Sequence, residues 1–171
     1  ASDVYKRQGI ENTAADRLSR MPDEVGEGEN EIDPGWLPDG LEVGEKVAGG
    51  GDSLFQSLSL VLWEVKKCRR SSKELREELV RELSTDPLKY GLKTDKKLKK
   101  ELRAMKQDGQ LPMLEVILVF CQKYQMTIWM HMGSPTPIKF EVPGEEGGRK
   151  IGHLQNLAGI HFNPVLSLIH I

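Results

Sequence analysis

The chain has 171 residues, 38% of them hydrophobic and 29% charged, with a formal net charge of -2 and a mean hydropathy of -0.44. That is enough for one domain with a substantial core and too little for two large ones, and the composition excludes a chain that is disordered throughout. The longest uninterrupted apolar run, Val116 to Cys121, falls far short of the roughly 20 residues of a membrane-spanning helix.

The charge is unevenly spread. Residues 1–46 hold 5 Lys/Arg against 12 Asp/Glu, a net of -7, whereas residues 64–106 hold 15 against 8, a net of +7. Such blocks either steer a charged partner or solvate a linker and the outer faces of helices. Cys68 and Cys121 are the only cysteines, and neither has CxxC or Cys/His spacing around it. Neither a disulfide framework nor a structural metal or other cofactor is expected. Cys68, among Lys66, Lys67, Arg69 and Arg70, reads as an ordinary thiol at a helix end.

The first patterned segment is GIENTAADRLSRMP, Gly9 to Pro22. Its Gly9, Asn12, Ala15, Asp16, Leu18, Ser19 and Arg20 resemble the last helix of the ribonuclease H domain of gypsy-type retrotransposon polyproteins. The resemblance implies that Asp16 is a remnant of a two-metal carboxylate set. Such a site needs several carboxylates converging from different elements, so Asp16 alone is expected to be inert. Residues 1–22 are read as that remnant and residues 23–46 as an acidic, glycine-containing linker with little to bury. The terminal ASDVYKRQ and SLIHI resemble translated sequencing adaptors and carry no reading, so His170 is set aside; residues 167–171 are taken as an unstructured tail. With no basic, apolar and small-residue leader pattern in view, a cytoplasmic or nuclear setting is expected.

From Val47 the pattern tightens. The glycines Gly49 to Gly51 run into LFQSLSLVLWEV, in which Leu54, Leu58, Val61, Leu62 and Val65 keep helical spacing. Ser71 and Glu74 form a capping box for a second helix that buries Leu75, Leu79 and Leu83 and stops at Pro87. A third, Asp95 to Lys106, offers only Leu98, Leu102 and Met105 and belongs on the surface. Pro112 introduces a fourth, Met113 to Tyr124, apolar on almost every side and hence buried. The period then changes to two: Met126–Met132, then Ile138, Phe140 and Val142, then short strands near 150–154 and 160–165. Helices followed by an antiparallel meander define an α+β domain over residues 47–166.

Two segments at opposite ends of this domain carry the chemistry. In GGGDSLFQSL, a glycine-rich loop delivers free N–H groups and the positive end of a helix dipole beside Ser53. A nucleophile in that position gains an oxyanion hole from the Gly50, Gly51, Asp52 loop. In GIHFNPV, His161 and Asn163 alternate along a strand and share a face, so the amide can orient the imidazole. Asp52 either interacts with the loop amides or caps the helix, and capping is the role expected.

Together these segments resemble the OTU (ovarian tumour) family of papain-like cysteine deubiquitinases, with a D-G-x-C-L-F loop opening a helix and a late strand carrying His, an aromatic residue, then Asn or Asp. Gly51, Leu54 and Phe55 match the loop; His161, Phe162 and Asn163 match the strand; Gly109, Glu115 with Val116, and Ile128 fall in the corresponding places between them. The resemblance spans about 120 residues in order. It implies helices around a small, mainly antiparallel sheet, ubiquitin or a ubiquitin-like protein as partner, and isopeptide hydrolysis with Ser53, His161 and Asn163 as the catalytic set.

Two departures stand out. Ser53 replaces the nucleophilic cysteine, and Gly50 replaces the loop aspartate. A hydroxyl, unlike a thiol of pKa about 8.5, cannot be held ionised by an imidazolium. In serine proteases, exchanging the third-member Asp for Asn costs about 10⁴ in kcat by holding the wrong imidazole tautomer. The expectation is therefore a catalytically impaired domain that still recognises its modifier. An active hydrolase and a polyprotein spacer touching nucleic acid through the basic helices at 64–106 are the alternatives. His131 and His153 read as strand residues without a third metal ligand.

Overall fold

The helices form where apolar residues recur three and four apart. In the computed structural model, which describes residues 35–141 and 149–167, these are α1 (Ser53–Lys66), α2 (Ser72–Thr85), α3 (Lys96–Met105) and α4 (Glu115–Tyr124), with one 3₁₀ turn at Pro87–Tyr90. The capping box of α2 is complete. Ser71 Oγ accepts from the Glu74 N–H at 3.1 Å, and Glu74 Oε2 accepts from the Ser71 N–H at 2.8 Å. Two of the four amides that every helix start leaves unpaired are matched this way. Asp95 caps α3 by accepting from the Leu98 N–H at 2.7 Å, and α3 buries only Leu98, Leu102 and Met105. In α4 every residue from Val116 to Cys121 is buried. This helix begins later than Pro112 suggested, because Val116 and Ile117 bond back three residues, to Met113 and Leu114, a tighter 3₁₀-like entry.

Five strands make one sheet in the order β1-β5-β4-β2-β3, with β1 Leu41–Val43, β2 Met126–His131, β3 Ile138–Phe140, β4 Lys150–Leu157 and β5 His161–Ser167. The β1/β5, β2/β3 and β4/β5 pairs are antiparallel and β2/β4 is parallel. The α+β class and the mainly antiparallel sheet are as expected, but the simple meander is not. After the β2/β3 hairpin the chain crosses to the far side of β2. A meander would have left β2 at the edge, whereas Met126, Ile128 and Met130 are fully buried and need a neighbour on each side.

The domain also starts earlier than residue 47. Leu41–Val43, inside the segment read as linker, pairs with Val165–Ser167, and β5 runs one residue into the expected tail. The ribonuclease H-like segment with Asp16, the acidic stretch to residue 34, the turn at Glu145–Gly148 and residues 168–171 lie outside the described residues.

The core lies between the sheet and α1 and α4, with α2 packed on both of those helices, and includes Leu54, Phe55, Leu58, Leu79, Phe120, Ile128 and Phe162. Gly152 sets how closely α1 lies on β4: a Cβ there would sit 2.5 Å from Val61 Cγ1. Close packing of the helix on the strand brings the N-terminus of α1 to β5. Among the described residues no helix is long and apolar enough to cross a membrane.

Candidate active site

The loop before α1 is fixed from below. Gly50 has φ +107, a backbone conformation open to glycine. At Gly51 a Cβ would lie 2.1 Å from the Gly109 carbonyl oxygen, so only glycine lets the two backbones touch. Asp52 completes the junction: its Oδ1 accepts from Arg76 Nη2 at 2.6 Å and from the Gly109 N–H at 3.0 Å. The Gly109 N–H, and then Arg76, hold the Asp52 carboxyl below its usual value, against the opposing effect of partial burial. The expected capping role is therefore corrected. Asp52 makes no side-chain cap bond to α1, because its carboxylate is committed to Arg76 and the neighbouring loop.

Arg76 is the cation at the centre of this junction, 1% exposed. It donates to the carbonyls of Met105 at 2.7 Å, Gly51 at 3.2 Å and Gln110 at 3.0 Å. Its guanidinium lies 4.5 Å over the Phe55 ring, an added cation–π attraction. Holding the Gly51 carbonyl has a further consequence. In a planar trans peptide the Asp52 N–H must then face away from Arg76, so Arg76 orients one of the loop amides.

Ser53 opens α1 and is fully buried. Its Oγ accepts from the Phe162 N–H at 3.1 Å, and one turn later Ser57 Oγ donates to the Phe162 carbonyl at 2.9 Å. The pairing of β1 with β5 stops at Val165, and Gly44 takes the Pro164 carbonyl at 2.9 Å. Beyond that point the two serines occupy the edge of β5. Ser53 thus has a structural task, pairing a buried amide whose orphaning would cost about 1–3 kcal/mol.

Across this edge, His161 Nε2 and Asn163 Oδ1 are 3.1 Å apart. Asn163 Nδ2 donates to Gln155 Oε1 at 3.0 Å, and Gln155 Nε2 donates to the Gly35 carbonyl at 3.2 Å. Gln155 and Asn163 are direct partners in the β4/β5 register, and facing residues of a pair share a face of the sheet. The structure therefore brings Ser53, His161 and Asn163 into one neighbourhood, with the Gly50–Asp52 loop beside Ser53. Among the described residues no hydrogen bond joins Ser53 Oγ to the His161 ring; the hydroxyl meets the backbone one residue further on.

The other candidates lie elsewhere. His131 Nε2 is 3.0 Å from His153 Nδ1, and burial, reinforced by His153, pushes His131 down to about 4. Among the described residues no three metal-ligating side chains converge. Burial pushes the Cys121 thiol up to about 12, which removes it as a nucleophile, and Cys68 sits just past α1, half-buried. A surface cavity of about 800 Å³, lined by Val61, Glu64, Lys150 and Ile151 among others, opens at the opposite end of α1, roughly 15–20 Å along the helix from Ser53.

Arg76, Gln155 and Ser57 escaped the reading of the sequence. Arg76 had a signal: it lies on the helical stripe of Leu79, Val80 and Leu83, where a charge is out of place. Gln155 lay one residue past the expected end of its strand.

No family model matches the chain, and no curated protein matches it. Solved structures do. The OTU domain of OTUD1 superposes with a TM-score of 0.59 at 18% identity, covering 74% of this chain and 86% of that one. An OTU deubiquitinase from Wolbachia pipientis wMel, bound to ubiquitin, gives 0.58 at 15% identity over 77% and 99%. The OTU domain protease of Dera Ghazi Khan virus gives 0.55 at 16% identity over 74% and 81%. The fold is that of OTU domains. The OTU-like motif residues of this chain, Gly51, Leu54 and Phe55 at the start of α1 and His161 to Asn163 on β5, meet around Ser53 and Phe162.

Proposed function

We propose that this chain is an OTU-type module that receives the C-terminal tail of ubiquitin or a ubiquitin-like protein at Ser53, His161 and Asn163 and turns it over poorly or not at all. The observation that carries the proposal is that α1 sets residue 53 against β5 at Phe162, between His161 and Asn163. Two of the similar OTU structures hold ubiquitin, which supports the choice of partner.

The impairment follows from residue 53. Hydrolysis of an isopeptide bond needs a nucleophile to attack the terminal glycine carbonyl while a base takes its proton and donors receive the oxyanion. A cysteine here would be favoured as thiolate by the helix terminus. The Ser53 hydroxyl needs concerted proton removal, yet it lies fully buried and engaged with the Phe162 N–H. Asn163 is a smaller obstacle than the serine-protease comparison implied, since it is itself held by Gln155. The active-hydrolase alternative rests on that same ordered pair. A retroelement polyprotein origin remains a proposal from the Gly9–Pro22 resemblance; reverse transcriptase or integrase motifs in flanking coding sequence would support it, and flanks without them would count against it.

Titration of isotope-labelled ubiquitin with the native chain tests the binding claim. Shifts in the signals of the ubiquitin tail, saturating by high micromolar chain, are expected. No shifts at that concentration would overturn the proposal.

A further inference from the structure

The His161–Asn163 pair continues through two more groups, and the far end of the chain gives it a direction. An amide side chain has a donor end and an acceptor end, and either can be turned toward a neighbour. A backbone carbonyl cannot be turned: it only accepts. Gly35 C=O therefore requires the NH₂ of Gln155, at 3.2 Å. Gln155 then presents its oxygen to Asn163, which must answer with its own NH₂, at 3.0 Å. That leaves Asn163 Oδ1 for the imidazole, 3.1 Å from Nε2, and an acceptor there requires the ring proton to be on Nε2.

Gln155 and Asn163 are 2% and 6% exposed, so water is a poor substitute for either partner. Reversing both amides would set two oxygens against each other at Gly35 and leave the buried Gln155 oxygen without a donor. The β4/β5 register holds the arrangement, since Gln155 and Asn163 are paired across the strands.

We infer that Gln155 is a positioning residue: anchored on the Gly35 carbonyl, it fixes the orientation of Asn163 and through it the Nε2–H tautomer of His161, leaving Nδ1 as the basic nitrogen of the site. A neutral amide pair thereby does the orienting that a carboxylate does in a Ser-His-Asp triad, without placing a negative charge beside the ring. The word positioning rests on the proposed function, whereas the tautomer is read from the free chain with no substrate.

Long-range proton–nitrogen correlation NMR of the ring nitrogens tests it, with the His161 signals assigned by their loss in His161→Ala. The native chain is expected to show one tautomer, protonated at Nε2. Gln155→Glu gives up the donor to Gly35 but can offer Asn163 nothing except an acceptor, so it is expected to keep that tautomer. Gln155→Met removes the acceptor, and a mixture of both tautomers is expected. An Nδ1–H tautomer in the native chain would overturn the inference whether or not the Met variant folds. So would an unchanged, pure Nε2–H tautomer in folded Gln155→Met, because a merely structural glutamine leaves the ring proton where it was. If the tautomers behave as expected while ubiquitin fails to bind, the proposed function falls and the role of Gln155 in setting the tautomer stands.

Discussion

Arg76 Nη2 lies 2.6 Å from Asp52 Oδ1, and the same guanidinium reaches carbonyls in both loops that flank the start of α1. A buried cation shared among one carboxylate and three carbonyls joins the glycine loop to the 106–111 loop. Replacing Arg76 with Met leaves those acceptors without their donor. Loss of one partner of a fully buried pair costs about 3–5 kcal/mol, but Asp52 has a 40% exposed side chain that water can reach. The expected loss is about 2–3 kcal/mol in urea unfolding. Asp52→Asn keeps an acceptor for both donors and should lose about 1 kcal/mol. Equal losses in the two variants would contradict the shared-cation account.

Gly51→Ala tests the backbone contact at the same junction. The added methyl would meet the Gly109 carbonyl at 2.1 Å, and both neighbours are backbone, which has little freedom to yield. A cost of about 3 kcal/mol is expected from overpacking, visible as a lowered Tm. A Tm within a degree of the native value would show that the loops are not in contact.

Ser53→Ala leaves the Phe162 N–H without its partner in a fully buried place. A loss of about 1–3 kcal/mol is expected, together with faster hydrogen exchange at Phe162 than at the neighbouring Val165. Ser53→Cys should fall between Ser and Ala, because a thiol is a weak acceptor. Unchanged exchange at Phe162 in the alanine variant would remove the structural role assigned to Ser53.

The buried His131 makes stability depend on pH. Its folded value of about 4 lies below the usual 6.5, so between those values the unfolded chain binds a proton that the folded chain does not. Stability is therefore full above pH 6.5 and falls as the pH drops toward 4, by roughly 3 kcal/mol for this group alone. Asp52 acts in the same sense lower down: its depressed carboxyl stabilises the fold above about 3.8, and that contribution is lost as the pH falls further. His131→Gln should flatten the stability curve between pH 6.5 and 4. An equally steep fall in the variant would assign the effect to other groups.

The helices and the two segments that meet at Ser53 and Phe162 were legible because their signals are local. A capping box at Ser71 and Glu74, three glycines before Leu54, and His161 alternating with Asn163 all fall within a few residues. What was not legible depends on distant partners. Leu41–Val43 has no pattern of its own and becomes a strand only by lying against β5. Asp52 looks like a helix cap until Arg76, on another helix, takes its carboxylate. The parallel β2/β4 pairing was hidden for the same kind of reason: period two reveals a strand and its faces, not its neighbours. Gln155 acquires its role from cross-strand register, which one sequence does not display.

The central claim of the proposed function is that an ordered His161–Asn163 pair lies beside a position, Ser53, whose missing thiol is the main obstacle to turnover. Hydrolysis of a fluorogenic ubiquitin substrate by the native chain, by Ser53→Cys and by Ser53→Cys with His161→Ala tests it most directly. Turnover is expected in Ser53→Cys, far above that of the native chain and of the double variant. Native turnover matching that of Ser53→Cys, or none by a folded Ser53→Cys variant, would contradict the claim.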